Sequence, residues 1–201
     1  MATGKVSTGF SKPYVAKYVN NNGTVSYTDA QILARGVEVS LEVESGDPNN
    51  FYADNVVAET VAGTFANGTL TLTVDGLLQD AEKMILGLDA AGADGFIGYG
   101  DNTAPYLGVG FIVRSMSGGT TYYTPVVVTK CLFNTPTLEA ATQEDEIDWK
   151  TQELVATCLR DDSAGRVWKY VGTDYTTEAA AEAALHLQNV LKITTLTLSI
   201  K

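Results

Sequence analysis

The side chains able to do chemistry are few and scattered. The one histidine, His186, falls in an alanine-rich stretch, and no serine or cysteine stands at a spacing that would complete a nucleophilic triad. It reads as a helix-surface or packing residue. Glu38, Glu42 and Glu44 form a row of carboxylates at even spacing. Acid–base work would need a cleft and a partner base beside them, and three acids on an open strand face read instead as a charged surface. The acidic stretches around Asp47, Asp54, Asp94 and Asp101 lack the regular spacing of a calcium loop and read as solvated turns. Gly98-Tyr99-Gly100 and Gly108-Val109-Gly110 lack the strand-then-helix context of a dinucleotide loop, so they read as sheet or turn glycines. Cys131 and Cys158 sit in apparent strands and read as reduced core residues rather than a disulfide. The expectation is a protein without catalytic residues, cofactor or metal.

The stretch around which the chain is organised begins at Arg35. Val37, Val39, Leu41 and Val43 alternate with Glu38, Ser40, Glu42 and Glu44. A period of two is what a half-buried strand requires, because successive side chains point to opposite faces. Ser45 to Asn50 is a dense cluster of turn formers, followed by the large aromatics Phe51 and Tyr52 in what reads as an exposed loop. An acidic sheet face beside an aromatic loop suggests a surface that meets another surface.

Residues 1–12 are small and polar and are expected to be a flexible N-terminal arm, disordered or docked elsewhere; residues 13–201 form a single β-domain. Tyr14–Val19 and Thr24–Thr28 predict a hairpin over Asn20-Asn21-Asn22-Gly23. Val56–Phe65 reads as the strand returning from the loop, and Asn67-Gly68 as a second hairpin turn before the strand Thr69–Val74. Apolar residues at three- and four-residue steps predict a helix over Leu77–Leu86, ended by Gly87. A loop over 89–104 leads to a hairpin, Pro105–Met116 and Thr120–Lys130, across Ser117-Gly118-Gly119. Trp149–Arg160 and Val167–Val171 read as strands, Thr176–Leu187 as a second helix, and Ile193–Lys201 as a terminal strand able to pair at home or with a neighbouring subunit. Many short strands with two helices predict a mainly β protein, an antiparallel sandwich or barrel.

Composition narrows the partners. The chain of 201 residues is 45% apolar, enough for one good core, and its acids outnumber its bases 24 to 13 for a net charge of −11. A grip on nucleic acid needs clustered Lys and Arg, and there is no such cluster; a polyanion would slide past this surface. The N-terminal residues lack the apolar core of a signal peptide, and no apolar run reaches membrane-spanning length.

Several stretches together resemble the major tail proteins of long-tailed bacteriophages, the phi13-type tail tube proteins of phages infecting Gram-positive bacteria. They are M-A-T-G-K-V-S-T-G-F-S-K-P-Y-V-A at the start, A-R-G-V-E-V-S at Ala34–Ser40, and N-N-F-Y-A-D-N-V-V-A-E at Asn49–Glu59. L-T-V-D-G-L at Leu72–Leu77, the sheet glycines near Gly108, and E-I-D-W-K-T-Q-E-L at Glu146–Leu154 complete the set. The resemblance implies a β-sandwich or barrel with a flanking helix, closing into hexameric rings that stack into the tail tube of the virion. It also implies assembly in the host cytoplasm with tape-measure, terminator and initiator proteins, and DNA passing through the bore without specific binding. Glu38, Glu42 and Glu44 are then candidate lumen-facing acids, and Asp47, Asn50, Phe51, Tyr52 and Asp54 a candidate inter-ring loop.

Two rivals stand beside this reading. One is the tube of a related tail-like or secretion assembly. The other is a carbohydrate- or ligand-binding β-sandwich using Trp149, Trp168 and Tyr52 as an aromatic platform, against which both tryptophans read more plainly as core residues.

Overall fold

The computed structural model describes residues 4–89, 94–139, 142 and 149–187. In chain order these form β1 (Val6–Asn21), β2 (Thr24–Ile32), β3 (Gly36–Ser45), β4 (Asn49–Ala53), β5 (Val56–Val61), β6 (Phe65–Val74) and α1 (Gln79–Leu86). There follow β7 (Leu107–Ser117), β8 (Thr120–Phe133), β9 (Gln152–Leu159), β10 (Lys169–Val171) and α2 (Glu178–Leu187). The protein is mainly β and wholly antiparallel in its described pairings.

One continuous sheet runs in the order β2-β1-β7-β8-β9-β6-β3, with β10 added to β8. It folds back on itself at β8. Val126–Val128 of that strand pair with β10, whereas Lys130–Phe133 pair with β9. A register shift against Leu107–Val109 lies between, so the inward alternation Val126, Val128 resumes at Cys131 and Phe133. An extra residue that bends a strand is the usual way to turn a corner between layers. The layer β3-β6-β9 thus covers β1-β7-β8. Leu70, Leu72 and Val74 of β6 and Leu154 and Ala156 of β9 meet Val15, Val109, Phe111 and Val128 in one core. Ala81, Ile85 and Leu86 of α1 join that core, and Gly87 ends the helix at φ 65°, its amide returning to the carbonyls of Lys83 and Met84.

The opposite face of β1-β2-β7-β8 carries a second cluster, Ala16, Tyr27, Ile112 and Val127, roofed by Ala181 and Leu185 of α2. Gly108 is required there. A Cβ on it would lie 2.3 Å from the Tyr27 ring, which is buried with its hydroxyl donating to the carbonyl of Thr129 at 2.8 Å. Gly108 is therefore a sheet glycine packed under an aromatic ring, and Gly110 lies in the same strand.

The hairpins over Asn22-Gly23 and Gly118-Gly119 form as the sequence predicts, each with both turn residues at positive φ, which joins strands by two residues without splaying them. Three expectations are corrected. The segment expected as a flexible arm is strand from Val6 onward, with Val6–Ser11 paired to Ile112–Met116, because β7 outruns β2 and offers its edge. Asn67-Gly68 is no turn: it lies inside β6, where Gly68 faces Val43 on one side and Cys158 on the other. A Cβ there would lie 2.9 Å from the Glu42 carbonyl oxygen, so close strand approach explains the glycine. Trp149 is 82% exposed and belongs to neither core cluster. The expected strand at Ile193–Lys201 and the Glu146–Asp148 part of the resemblance lie outside the described residues, as does the side chain of His186.

Candidate functional site

Two surfaces stand out, and β3 leads into both. Its entry is fixed by Arg35 and Asp75: the Arg35 amide donates to the Asp75 carboxylate at 3.0 Å, the guanidinium pairs with the same group, and the Asp75 amide donates back to the Arg35 carbonyl at 3.0 Å. The guanidinium hydrogen bond holds the Asp75 carboxyl below its ordinary range.

Beyond a bulge at Val37 the predicted alternation holds. Val39 and Leu41 lie opposite the buried Leu72 and Leu70, while Glu38, Ser40 and Glu42 pair with Thr73, Thr71 and Thr69 on the outer face. Glu44 continues that face opposite Asn67. Val37 and Val43, expected to be inward, are 54% and 45% exposed, because β3 is the last strand of its layer and the bulge turns Val37 out. The next strand extends the outer face: Glu153 lies opposite Thr73, Val155 opposite Thr71 and Thr157 opposite Thr69. The result is an open surface of Glu38, Glu42, Glu44 and Glu153 set among threonines, and none of the four forms an ion pair with a described residue. Glu153 was missing from the predicted set, although Glu153, Val155 and Thr157 repeat the same period of two.

The second surface corrects the predicted loop. Asn50, Phe51 and Tyr52 lie in β4, which pairs with β5 as a separate two-stranded sheet. Asp54 begins its turn, with Asp54 and Asn55 at φ 50° and 63°, and only Asp47 stays in the irregular segment leading in. The strand expected over Val56–Phe65 is accordingly divided between β5 and β6. Every residue of β4 and β5 is exposed, among them Phe51, Tyr52, Val56, Val57 and Val61. Thr60 and Asn50 share a side-chain hydrogen bond of 2.8 Å across the pair, and the Gly46 amide donates to the Thr64 carbonyl at 2.9 Å at the base. An isolated hairpin of two strands is marginal in water, and among the described residues β4 and β5 pair only with each other.

The remaining polar clusters brace the fold. Asp162 accepts from Lys130 at 2.8 Å and from the Tyr18 hydroxyl at 2.9 Å, and these bonds keep its carboxyl below the usual range. Burial, opposed and reinforced by contacts with Asp162, pushes the Tyr18 phenol up to about 12. Cys131 and Cys158 face each other across β8 and β9 as free, buried thiols with sulfurs 3.7 Å apart, and burial pushes the Cys131 thiol up. Trp168 stacks on Phe65 with ring centres 4.5 Å apart and carries the Lys169 ammonium 4.7 Å from its own, so it is no open platform. Among the described residues no group of three or more His, Cys, Asp or Glu could hold a metal ion, and no helix is long and apolar enough to cross a membrane.

Searches of protein-family models and of curated proteins return no match to this chain.

Proposed function

We propose that this chain is a structural subunit of a phage tail tube, assembling as stacked hexameric rings whose acidic bore conducts DNA. The observation that carries this reading is the β4–β5 hairpin, an exposed apolar element that projects beyond the sandwich and has no fold of its own to complete. A ring has head-to-tail interfaces, so one subunit can present such an element to a different surface on the next. Phe51, Tyr52 and Val57 would be its anchors, with Asp47, Asn50 and Asp54 at the polar rim.

The second support is the face bearing Glu38, Glu42, Glu44 and Glu153. Lining a bore with unpaired carboxylates repels phosphates at every step and leaves DNA or a tape-measure protein free to move. The long-tailed phage resemblance of the sequence agrees with both features. The tube of a related tail-like or secretion assembly would use the same two surfaces. Of the three aromatics in the carbohydrate-binding alternative, Trp168 is covered by Phe65 and Lys169, while Trp149 and Tyr52 are exposed.

Negative-stain electron microscopy of the purified protein, concentrated and aged, tests the reading. Rings or hollow tubes of uniform diameter are expected. A monomer that stays monomeric with tail initiator proteins present, and that binds glycans, would replace it with the binding-module reading.

A further inference from the structure

Beside β3 runs a cleft of about 410 Å³ floored by Phe10, Phe111, Val113 and Val126 and flanked by Val39 and Val171. Its position is that of a missing strand. The layer β1-β7-β8-β10 is wider than the layer β3-β6-β9 that covers it, and the covering layer stops at β3 with that strand's outer edge unpaired among the described residues. A strand edge left open beside an apolar floor is a template for one more strand.

We propose that residues 193–200 of the same chain add along the free edge of β3 and fill this cleft. The sequence there is I-T-T-L-T-L-S-I, with Leu196, Leu198 and Ile200 alternating against Thr195, Thr197 and Ser199. Such a segment has one face for an apolar floor and one for solvent. Its polar face matches in kind the Ser40, Thr71 and Thr157 surface that it would extend.

The chain also ends in the right place to reach. The last described residue is Leu187, at the end of α2. Just before it, Ala184 and Leu185 share a cavity with Val171 of β10, and Val171 in turn lines the cleft. Five residues, 188–192, separate Leu187 from the segment, and a fully extended chain of that length spans up to about 17 Å. A strand delivered so close to its own cleft has a high effective concentration there, which favours the home site over a second copy's. The addition would convert β3 from an edge into an interior strand before any assembly, and it is independent of the tube.

Hydrogen exchange on dilute, monomeric full-length protein tests the proposal, with amides of Leu70–Val74 as the folded control. Amides of residues 194–200 are expected to exchange about 100-fold more slowly than in an unfolded chain. Leu198→Asp should abolish that protection and Thr197→Asp should keep it, because only the first would face the cleft. Unprotected amides beside a protected core would overturn the proposal, and so would equal protection in the two variants. Protection that appears only at high protein concentration would also overturn it and give the segment to the cleft of a second copy.

Discussion

Gly46 and Gly63 meet backbone to backbone where the β4–β5 hairpin leaves the sandwich. A Cβ on Gly63 would lie 1.6 Å from the Gly46 carbonyl oxygen. No rotamer can relieve a clash with backbone, so any larger residue at position 63 must spread the two chains and change the angle at which the hairpin projects.

Gly63→Ala is therefore expected to separate assembly from folding. The hairpin lies outside both core clusters, so the melting temperature should fall by no more than about 4 °C, the shift that 1 kcal/mol gives a domain of this size. Tube or ring formation should be lost. Calorimetry beside electron microscopy checks both halves.

Deleting Asp47–Asp54 removes β4 and the first of the two turn residues, Asp54 and Asn55. A folded monomer that cannot stack is the expected outcome, read by circular dichroism and by sizing at high concentration. Tubes of ordinary length from this deletion would contradict the role given to the hairpin.

Gly108→Ala probes the core in the opposite sense. The new methyl would collide with the Tyr27 ring, which is held from behind by its hydrogen bond to Thr129. Overpacking of this kind costs about 1–3 kcal/mol. Denaturant unfolding should show that loss with an unchanged slope, and any surviving assemblies should look normal.

Two linked groups give the pH dependence a defined shape. Tyr18 has its phenol raised from 10.0 to about 12, so the stability it contributes is complete below pH 10 and is lost as pH rises through 12. Asp162 has its carboxyl lowered, so its contribution is present above the ordinary carboxylate value of 3.8 and fades as pH falls below it. Tyr18→Phe should flatten the alkaline limb of a melting-temperature profile, and Asp162→Asn the acid limb. Because Asp162 is exposed, the acid effect is expected to be small and to shrink with added salt.

The sequence made much of this fold legible where local chemistry decides. Asn22-Gly23 and Gly118-Gly119 supply positive φ at no cost, Gly87 ends α1, and the β3 alternation separates Glu38 and Glu42 from Val39 and Leu41. It misled where the same local signal was used for something else. Asn67-Gly68 has the dipeptide of a turn, but its glycine is needed because the Glu42 carbonyl passes 2.9 Å from where a Cβ would stand. Val6–Ser11 looks too polar to fold, yet its order comes from the free length of β7, a partner more than 100 positions away. The candidate surfaces were half legible: Phe51 and Tyr52 marked the exposed tip, while the addition of Glu153 depended on β9 pairing with β6. Trp149, expected in the core, shows that a large apolar residue need not be placed by its hydrophobicity alone.

Replacing Glu38, Glu42 and Glu44 with lysine should leave folding and tube formation intact, since all three are exposed and none forms an ion pair with a described residue. Particles carrying the variant are expected to eject DNA slowly or not at all. The block should ease as salt rises, the signature of phosphate contacts. Ejection at the normal rate would remove these residues from the bore.

The most direct measurement is a cryo-electron-microscopy reconstruction of tubes grown from the wild-type protein. A hollow tube lined by the outer face of β3-β6-β9 is expected, with Glu38, Glu42, Glu44 and Glu153 toward the axis and the β4–β5 hairpin buried against an adjoining subunit. A tube with that face outside and the hairpin free in solvent would contradict that placement.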